Sequence, residues 1–166
     1  MTAPRVGRGP LPPDATDRRI LSILQSDGRR TFAEVAERVG LSAPSVHERV
    51  KKLEARGVIR RYGAVLDAGY LGFGILAFVA VIQDSRADWA ELARHFAAIP
   101  EILECHHVAG EEDFLLKACA RDTADLERIL NLVQATDQVD STRTTVVLSS
   151  TFADRGLPVE AAGDGR

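Results

Sequence analysis

The hydrophobic residues in the first third of the chain recur at the spacing of short α-helices. Three stretches place apolar residues every three or four positions, so that these residues fall on one face of a helix. The third stretch also has boundary residues: Ser42 stands where an N-cap is expected, Pro44 in the first turn, and Gly57 where a left-handed residue ends a helix. We therefore predict three helices, at residues 14–28, 31–39 and 42–57.

The second and third predicted helices are joined by a tight turn that contains Gly40. Such a pair is typical of a helix-turn-helix, whose second helix enters the major groove of DNA with its N-terminal residues leading. The outward face of the third helix is polar and cationic, because it carries Glu48, Lys51 and Lys52. Two helices packed in an unrelated bundle would give the same hydrophobic pattern and are the alternative.

The second half of the chain alternates strand-like and helix-like patterns in the order βαββαβ. Its predicted strands are residues 73–82, 102–109, 114–120 and 139–152, and its predicted helices are residues 88–99 and 122–134. The first helix should bury Trp89. This order is that of a ferredoxin-like domain, an antiparallel sheet with helices on one face. Both alternations of the first strand are apolar, so we predict a homodimer in which a second copy covers the open face.

The fold class is therefore α+β, with an N-terminal winged helix-turn-helix followed by a ferredoxin-like βαββαβ domain. The wing is the strand-like segment 58–66, which would carry Arg60 and Arg61 to the DNA backbone. The predicted divisions are a disordered arm at 1–12, a winged helix-turn-helix at 13–66, a hinge at 67–72, the ferredoxin-like domain at 73–152 and a tail at 153–166.

The net charge differs in sign between the two halves. Residues 1–66 hold 13 Lys and Arg against 7 Asp and Glu, a net charge of +6, whereas residues 67–166 hold 8 against 17, a net charge of −9. The basic half coincides with the helix-turn-helix, which favours phosphate binding over ordinary surface variation. No apolar run reaches the roughly 18 residues of a membrane span, and the N-terminus lacks the apolar core of a signal peptide. We expect a cytoplasmic protein that does not enter a membrane.

The cysteines and histidines of the second half do not predict a metal site. Neighbouring residues of a strand point to opposite faces, so only Cys105 and His107 of the Cys105-His106-His107 run share a face. Two such ligands do not make a zinc site. Cys105 and Cys119 lack CxxC spacing, and we predict that both are reduced and buried. The sequence also contains no recognisable pair of a nucleophile and a general base. We therefore expect a protein that is not an enzyme and that binds neither a metal nor a cofactor.

Four runs of the sequence occur at matching separations in both predicted domains. They are DATDRRILSILQSDGR (14–29), ERVGLSAPSVHERVKKLEARGVI (37–59), ECHHVAGEEDFLLKA (104–118) and STRTTVVLSS (141–150). Together they resemble the Lrp/AsnC family of transcriptional regulators over roughly residues 13–152. The resemblance implies a DNA-binding regulator that forms dimers and multiples of dimers such as octamers. It also implies that the second domain senses an amino acid or a related metabolite, which would shift the equilibrium between assemblies.

The two predicted sites lie on the third helix with its wing and around the glycine loop Val108–Phe114. Arg49, Lys51, Lys52, Arg60 and Arg61 are the predicted phosphate contacts on double-stranded DNA. The predicted base contacts are Ser45, His47 and Glu48, with Ser42 and Pro44 at the leading end of the helix. By the resemblance, the effector-binding residues are His107, Ala109, Gly110, Glu111, Glu112, Asp113, Thr142 and Thr144.

The glycine loop departs from the family pattern, because Glu111 stands where many members have an Asp and Glu112 where they have the first aromatic residue. If an amino acid binds, loop N–H groups would take its carboxylate, and Asp113 or Glu111 its ammonium. A solvated acidic turn in a regulator without an effector is one alternative. Another is an enzyme that resembles sirohaem decarboxylases and acts on a tetrapyrrole, which the acidic second half disfavours.

Overall fold

The computed structural model describes residues 12–159, which form two compact units. One unit comprises the described residues up to Val65 together with those from Asp154 onward, and the other comprises Leu66–Ala153. The predicted disordered arm at 1–12 lies, apart from Pro12, outside the described residues.

The first unit contains three helices, α1 Ala15–Ser26, α2 Phe32–Val39 and α3 Ala43–Ala55. Each follows an N-cap residue whose side chain accepts a hydrogen bond from a backbone N–H of the first turn, and these N-caps are Asp14, Thr31 and Ser42. Gly40 ends α2 with φ of 75°, a left-handed conformation in which glycine avoids the strain of a side chain. The three predicted helices are confirmed to within two residues at each boundary.

The apolar faces of these helices meet in one small core. Its buried members come from all three helices and are Ile20, Leu24, Val35, Ala36, Val39, Val46 and Val50. Leu53, predicted to continue the stripe of α3, is also buried. The face of α3 opposite this core is left to solvent, which is where a recognition helix presents its side chains.

The predicted wing strand at 58–66 is not present, since none of the described residues from 58 to 74 is in a strand. The segment runs as extended chain without a ladder partner. Tyr62 holds it to the helices by donating a hydrogen bond from its hydroxyl to Glu54 Oε1 at 3.1 Å. A strand-like pattern predicts extended backbone, but a strand also needs a neighbouring edge to pair with, and this unit supplies none.

The second unit has the predicted βαββαβ order. Its elements are β1 Ile75–Gln83, α4 Trp89–Ala97, β2 Ile102–His107, β3 Phe114–Ala120, α5 Thr123–Val133 and β4 Val139–Val146. The four strands form one antiparallel sheet in the order β2-β3-β1-β4. The ferredoxin-like prediction is confirmed, but β4 ends at Val146 rather than at residue 152. Beyond Val147, whose N–H donates to Leu76 O, β1 offers no further partner residues.

Helices α4 and α5 cover one face of the sheet and leave the other open. The covered face contributes Val79, Val81 and Leu116 to a core that also contains Phe96 and Ile129 of the helices. The open face carries large apolar side chains that are each more than one third exposed, among them Phe78, Ile82 and Leu115. Both faces of β1 are thus apolar, as its sequence predicted, and only one has a cover within the described chain.

An ion-pair cluster fixes the junction between β3 and α5. Asp125 is buried at 7% exposure and accepts hydrogen bonds from the guanidinium groups of Arg121 and Arg128 at 2.9–3.2 Å. Arg128 also pairs with Glu101. The hydrogen bonds from Arg121, with those from Arg128, hold the pKa of the Asp125 carboxyl far below its ordinary value. A buried carboxylate requires such pairing, because an unpaired charge would be costly to remove from water.

Candidate nucleic-acid interface and effector site

The leading end of α3 is built from two serines and a proline. Ser42 Oγ accepts from the N–H of Ser45 at 3.4 Å, and the two hydroxyl groups lie 2.8 Å apart. Pro44 occupies the first turn, where its missing N–H removes no helical bond. Ser42, Pro44 and Ser45 are all exposed, so the N-terminus of α3 is capped locally and open to an approaching ligand.

Four of the predicted phosphate contacts present free cationic groups. Lys51 and Lys52 lie on the exposed face of α3, and Arg60 and Arg61 follow in the extended segment. Within residues 12–159, none of these four side chains forms a hydrogen bond or an ion pair. Their charges are therefore available to a polyanion without breaking an existing contact.

Arg49 differs from these cations because it is engaged within the unit. Its Nη1 lies 2.8 Å from Asp14 Oδ2 and 2.8 Å from Asp17 Oδ1, so it joins α3 to the N-terminus of α1. The hydrogen bonds to Asp14 and Asp17 raise the pKa of Arg49, and the N–H of Asp17 together with Arg49 lowers that of Asp14. A phosphate contact by Arg49 would require these bonds to break, so its geometry indicates a positioning role.

Beside this ion pair lies an open cleft with a volume of about 310 Å³. Ser45, Glu48 and Lys52 of α3 line it together with Asp17 of α1. His47 lies outside this cleft and packs its ring against Phe32 of α2, with the ring centroids 5.2 Å apart. Glu48 and His47, both predicted base contacts, are exposed side chains of α3. The exposed surface of α3 is thus polar and of mixed charge at its centre, with free cations toward its C-terminal end and in the segment that follows.

The predicted effector loop lies where β2 ends and β3 begins. Asp113 closes it, because its N–H donates to Val81 O at 2.9 Å and its own carbonyl accepts from the N–H of Val108 at 2.9 Å. Asp113 Oδ2 accepts from the N–H of Gln83 at 2.8 Å. Glu112 forms an ion pair with Arg143 of β4. Two of the three loop carboxylates, those of Glu112 and Asp113, are therefore already bonded within the unit. The exposed Glu111 has no partner among residues 12–159.

The backbone at the tip of this loop has unused donors. Among the described residues, no hydrogen bond is donated by the N–H groups of Ala109, Gly110, Glu111 or Glu112. Successive free N–H groups in a turn attract anions, a carboxylate among them. Ala109 and Gly110 are both exposed, so these donors are open to solvent.

His107 stands beside the loop in an aromatic cluster that the sequence did not predict. Its ring is stacked on Trp89 of α4, with 5.7 Å between centroids and 4° between planes, and lies 5.0 Å from Phe114. Trp89 was predicted to be buried, but it is 49% exposed. Helical spacing places Trp89 on the inner side of α4, but it stands in the first turn, at the edge of the sheet, where coverage is incomplete.

Thr142 and Thr144 lie on the helix-covered side of β4, opposite Val81 and Val79 of β1. Both are half-buried, and Thr142 Oγ1 accepts from Gln134 Nε2 at 2.5 Å.

Gln83 contacts the loop but was not predicted from the sequence. Its side-chain Oε1 is buried without a hydrogen-bond partner in the described chain, and its N–H anchors Asp113. No local pattern marks it, since it is only the last residue of an apolar strand.

The cysteines and histidines are arranged as the strand geometry predicted. Cys105 and His107 lie opposite Leu116 and Phe114, on the covered side of the sheet, whereas His106 lies opposite Leu115. Cys119 is buried as predicted, but Cys105 is exposed, because it lies on the edge strand β2. Partial desolvation raises the pKa of both thiols, which makes them less reactive. No group of three or more metal-ligating side chains occurs within residues 12–159.

Comparison with known families identifies both units. A family model of the AsnC-type helix-turn-helix domain matches residues 14–54. A family model of the Lrp/AsnC ligand binding domain matches residues 76–157. The chain belongs to the Lrp/AsnC family. The resemblance drawn from the sequence is thereby confirmed, and the chain is a transcriptional regulator with a helix-turn-helix for DNA.

Individual Lrp/AsnC proteins match nearly the whole chain. The HTH-type transcriptional regulator FL11 of Pyrococcus horikoshii is 31% identical over 90% of this chain and 99% of its own length. The leucine-responsive regulatory protein of Rhizobium meliloti is 43% identical over 81% of this chain and 88% of its own. Both relatives are named as regulators and not as enzymes.

Solved structures of the Lrp/AsnC family match the fold closely. A transcriptional regulator from Neisseria meningitidis, solved as its L-Met complex, has a TM-score of 0.84 at 33% identity and covers 89% of this chain and 97% of its own. The feast or famine regulatory protein of Mycobacterium tuberculosis, complexed with L-methionine, has a TM-score of 0.82 at 34% identity, over 87% and 97% of the two chains. Within the part of this chain that the structure describes, no helix is long and apolar enough to cross a membrane.

Proposed function

We propose that this regulator binds double-stranded DNA through α3 and changes its assembly or DNA affinity when an amino acid or a related metabolite binds its second unit. The observation that carries the DNA-binding part is the set of exposed, unpaired cations on and after α3. Lys51, Lys52, Arg60 and Arg61 contact phosphates, which gives affinity but little sequence information. Ser45, His47 and Glu48 face the bases and supply specificity.

Arg49 has a different role in this proposal from that expected of a surface cation. It holds α3 against the first turn of α1 through Asp14 and Asp17. The angle between the two helices decides how far the leading end of α3 reaches into the groove. Arg49 therefore positions the recognition helix, and Ser42 and Pro44 set the helix start that meets the DNA.

An amino acid binds at the loop after β2 in this proposal. Its carboxylate accepts hydrogen bonds from the free N–H groups of Gly110 and its neighbours, and its ammonium pairs with Glu111, the loop carboxylate without a partner. His107, Thr142 and Thr144 are the further effector contacts in this proposal. The L-methionine found in two structural relatives is consistent with a ligand of this class.

The assembly unit in this proposal is a homodimer through the open sheet face, and dimers combine further, for example into octamers. Phe78, Ile82 and Leu115 give this face the apolar character of a surface that is buried in the working protein. A two-fold pair of recognition helices matches the two half-sites of a palindromic operator. An effector that binds two assemblies with unequal affinity shifts the equilibrium toward the one it prefers.

The cations of the second unit argue against an enzyme acting on a tetrapyrrole. A polycarboxylate substrate needs several unpaired cations, but Arg86, Arg121, Arg128 and Arg143 are each paired with a carboxylate. Lys117 is likewise paired with Glu104. Among the described cations of this unit, Arg94 alone has no carboxylate partner, since it donates to the carbonyl of Ala90. We therefore propose a regulator that has no catalytic activity and requires no cofactor.

Both halves of the proposal can be tested with the full-length protein. Selection from a random pool of duplexes should enrich one sequence with two related half-sites. Trp89, the one tryptophan of the chain, stacks on His107 beside the loop and serves as the optical probe. Titration with L-methionine, then with the other nineteen amino acids, should give a saturable change in its fluorescence and a raised Tm for at least one. No enrichment contradicts DNA binding, and no response to any amino acid leaves a regulator without such an effector.

A further inference from the structure

The chain returns to the DNA-binding unit after β4 and is held there by Gln25 of α1. Gln25 Nε2 donates to the carbonyl of Leu157 at 2.7 Å, and the N–H of Leu157 donates to Gln25 Oε1 at 3.1 Å. The side-chain amide of Gln25 thus donates one hydrogen bond to the backbone of Leu157 and accepts another from it. Two matched hydrogen bonds fix both the position and the direction of the bound segment.

The residues next to Leu157 are shaped for this contact. A Cβ added at Gly156 would lie 2.4 Å from Gln25 Nε2 and 2.5 Å from its Cδ, so the backbone passes directly against the glutamine side chain. Asp154 has φ of 52°, the one left-handed non-glycine residue among residues 12–159. Asp tolerates this conformation better than most residues, and it bends the chain where it re-enters the unit.

This return gives the DNA-binding unit two chain connections to the sensing unit. The chain leaves the first unit after Val65 and enters it again at Asp154. The second connection begins at the end of β4, the strand that carries the predicted effector residues Thr142 and Thr144. A unit attached at two points has less rotational freedom than a unit attached at one.

We propose that residues 154–159 form a C-terminal strap that docks on α1 and limits the rotation of the DNA-binding unit. This inference rests on the proposed binding of DNA by a dimer. With its rotation limited, each unit is pre-oriented for its half-site, so that binding of the second half-site costs less conformational freedom once the first is bound. The strap thereby raises affinity for DNA with two half-sites and leaves affinity for a single half-site unchanged.

Docking of the strap can be tested without DNA by limited trypsin digestion at Arg155. A protease needs a locally released chain, so the docked strap should be cut slowly. Gln25→Ala removes both hydrogen bonds and should increase the rate of cleavage after Arg155 about fivefold or more. Ser22→Ala, an exposed position on the same helix, is the matched control and should leave the rate unchanged. An equal rate in Gln25→Ala and the wild type would overturn the docking.

The effect on DNA is tested with the selected duplex and a version cut to one half-site. Gln25→Ala, Gly156→Ala and a chain that ends at Ala153 should each bind the two-half-site duplex about tenfold more weakly. All three should match the wild type on the single half-site. Variants that match the wild type on both duplexes refute this inference alone. A wild type that binds neither duplex refutes the proposed function and this inference with it.

Discussion

At the scale of single residues, Glu111 and Asp113 show how two carboxylates of one loop differ in role. Asp113 accepts a hydrogen bond from the N–H of Gln83, which ties the loop to the end of β1. Glu111 is exposed and has no partner within residues 12–159. From the sequence, Asp113 and Glu111 were equally good candidates to pair with the ammonium of a ligand. The sequence does not reveal which of the two carboxylates already accepts a hydrogen bond from a backbone N–H.

The first prediction separates these two roles. Glu111→Gln should weaken amino-acid binding about tenfold with little change in Tm, because it removes one charge-assisted contact from an exposed position. Asp113→Ala should lower the free energy of unfolding by about 1–3 kcal/mol, because it leaves the N–H of Gln83 unpaired. Calorimetric titration measures the amino-acid affinity of each variant, and urea unfolding measures its stability. Full stability of Asp113→Ala together with complete loss of binding would reverse the assignment.

The second prediction concerns Asp125 and pH. Its pKa is depressed in the folded protein by Arg121 and Arg128, so its contribution to stability is fully present above the ordinary Asp pKa of 3.8 and is lost as pH falls below it. Asp125→Asn should therefore have a lower Tm than the wild type at pH 7, and the gap should narrow as the pH falls below 3.8. Asp140→Asn, exposed and without a partner in the described chain, is the control. A gap that does not change with pH would contradict the prediction.

At the scale of elements, local patterns predicted the helices but not the contacts between them. The cap at Ser42 and the buried stripe of Val46, Val50 and Leu53 follow from spacing within α3. The ion pair between Arg49 and Asp17 joins residues 32 positions apart, and no local period encodes it. Arg49 therefore looked like one more surface cation in the sequence.

The third prediction tests whether Arg49 positions α3 or contacts phosphate. Arg49→Ala should lower stability by about 1 kcal/mol or less, as is usual for partly exposed ion pairs, and should weaken DNA binding. The slope of binding against salt should stay unchanged, since no phosphate contact is lost. Fluorescence anisotropy of labelled DNA at several salt concentrations measures the affinity and its salt dependence. A slope as flat as that of Lys52→Ala would place Arg49 on the DNA backbone instead.

Strands were harder to predict than helices for a physical reason. Residues 58–66 and 147–152 have strand-like composition, yet neither segment is a strand in the described chain. A helix satisfies its backbone from within, whereas a strand depends on a partner that lies elsewhere in sequence. β1, β2 and β3 were predicted well, because each apolar run has a neighbouring strand in the same sheet.

At the scale of the whole molecule, the open sheet face is the surface that the proposed homodimer buries. The fourth prediction is that Phe78→Asp converts the protein to monomers, because the charge would be buried between two sheets. Leu132→Asp on α5 is a matched control, with 39% exposure against 37% for Phe78, and should keep the dimer. Sedimentation velocity measures the mass of each. A dimeric Phe78→Asp would move the interface to another surface.

Long-range connections of the chain could not be predicted from the sequence. The basic and acidic halves and the order βαββαβ indicated two domains, and the matched structures have this fold. Gln25 and Leu157 lie 132 residues apart, and nothing near either residue predicts their pairing. Trp89 and His107 likewise meet only because α4 packs beside β2.

The most direct test of DNA recognition by α3 is the salt dependence of binding by Lys51→Ala/Lys52→Ala. Each phosphate contact contributes about 0.9 to the slope of log affinity against log salt. A dimer that lacks both lysines in each subunit loses roughly four contacts, so its slope should be flatter by about 3 to 4 on every duplex tested. A slope equal to that of the wild type would show that α3 does not face the DNA backbone with these residues.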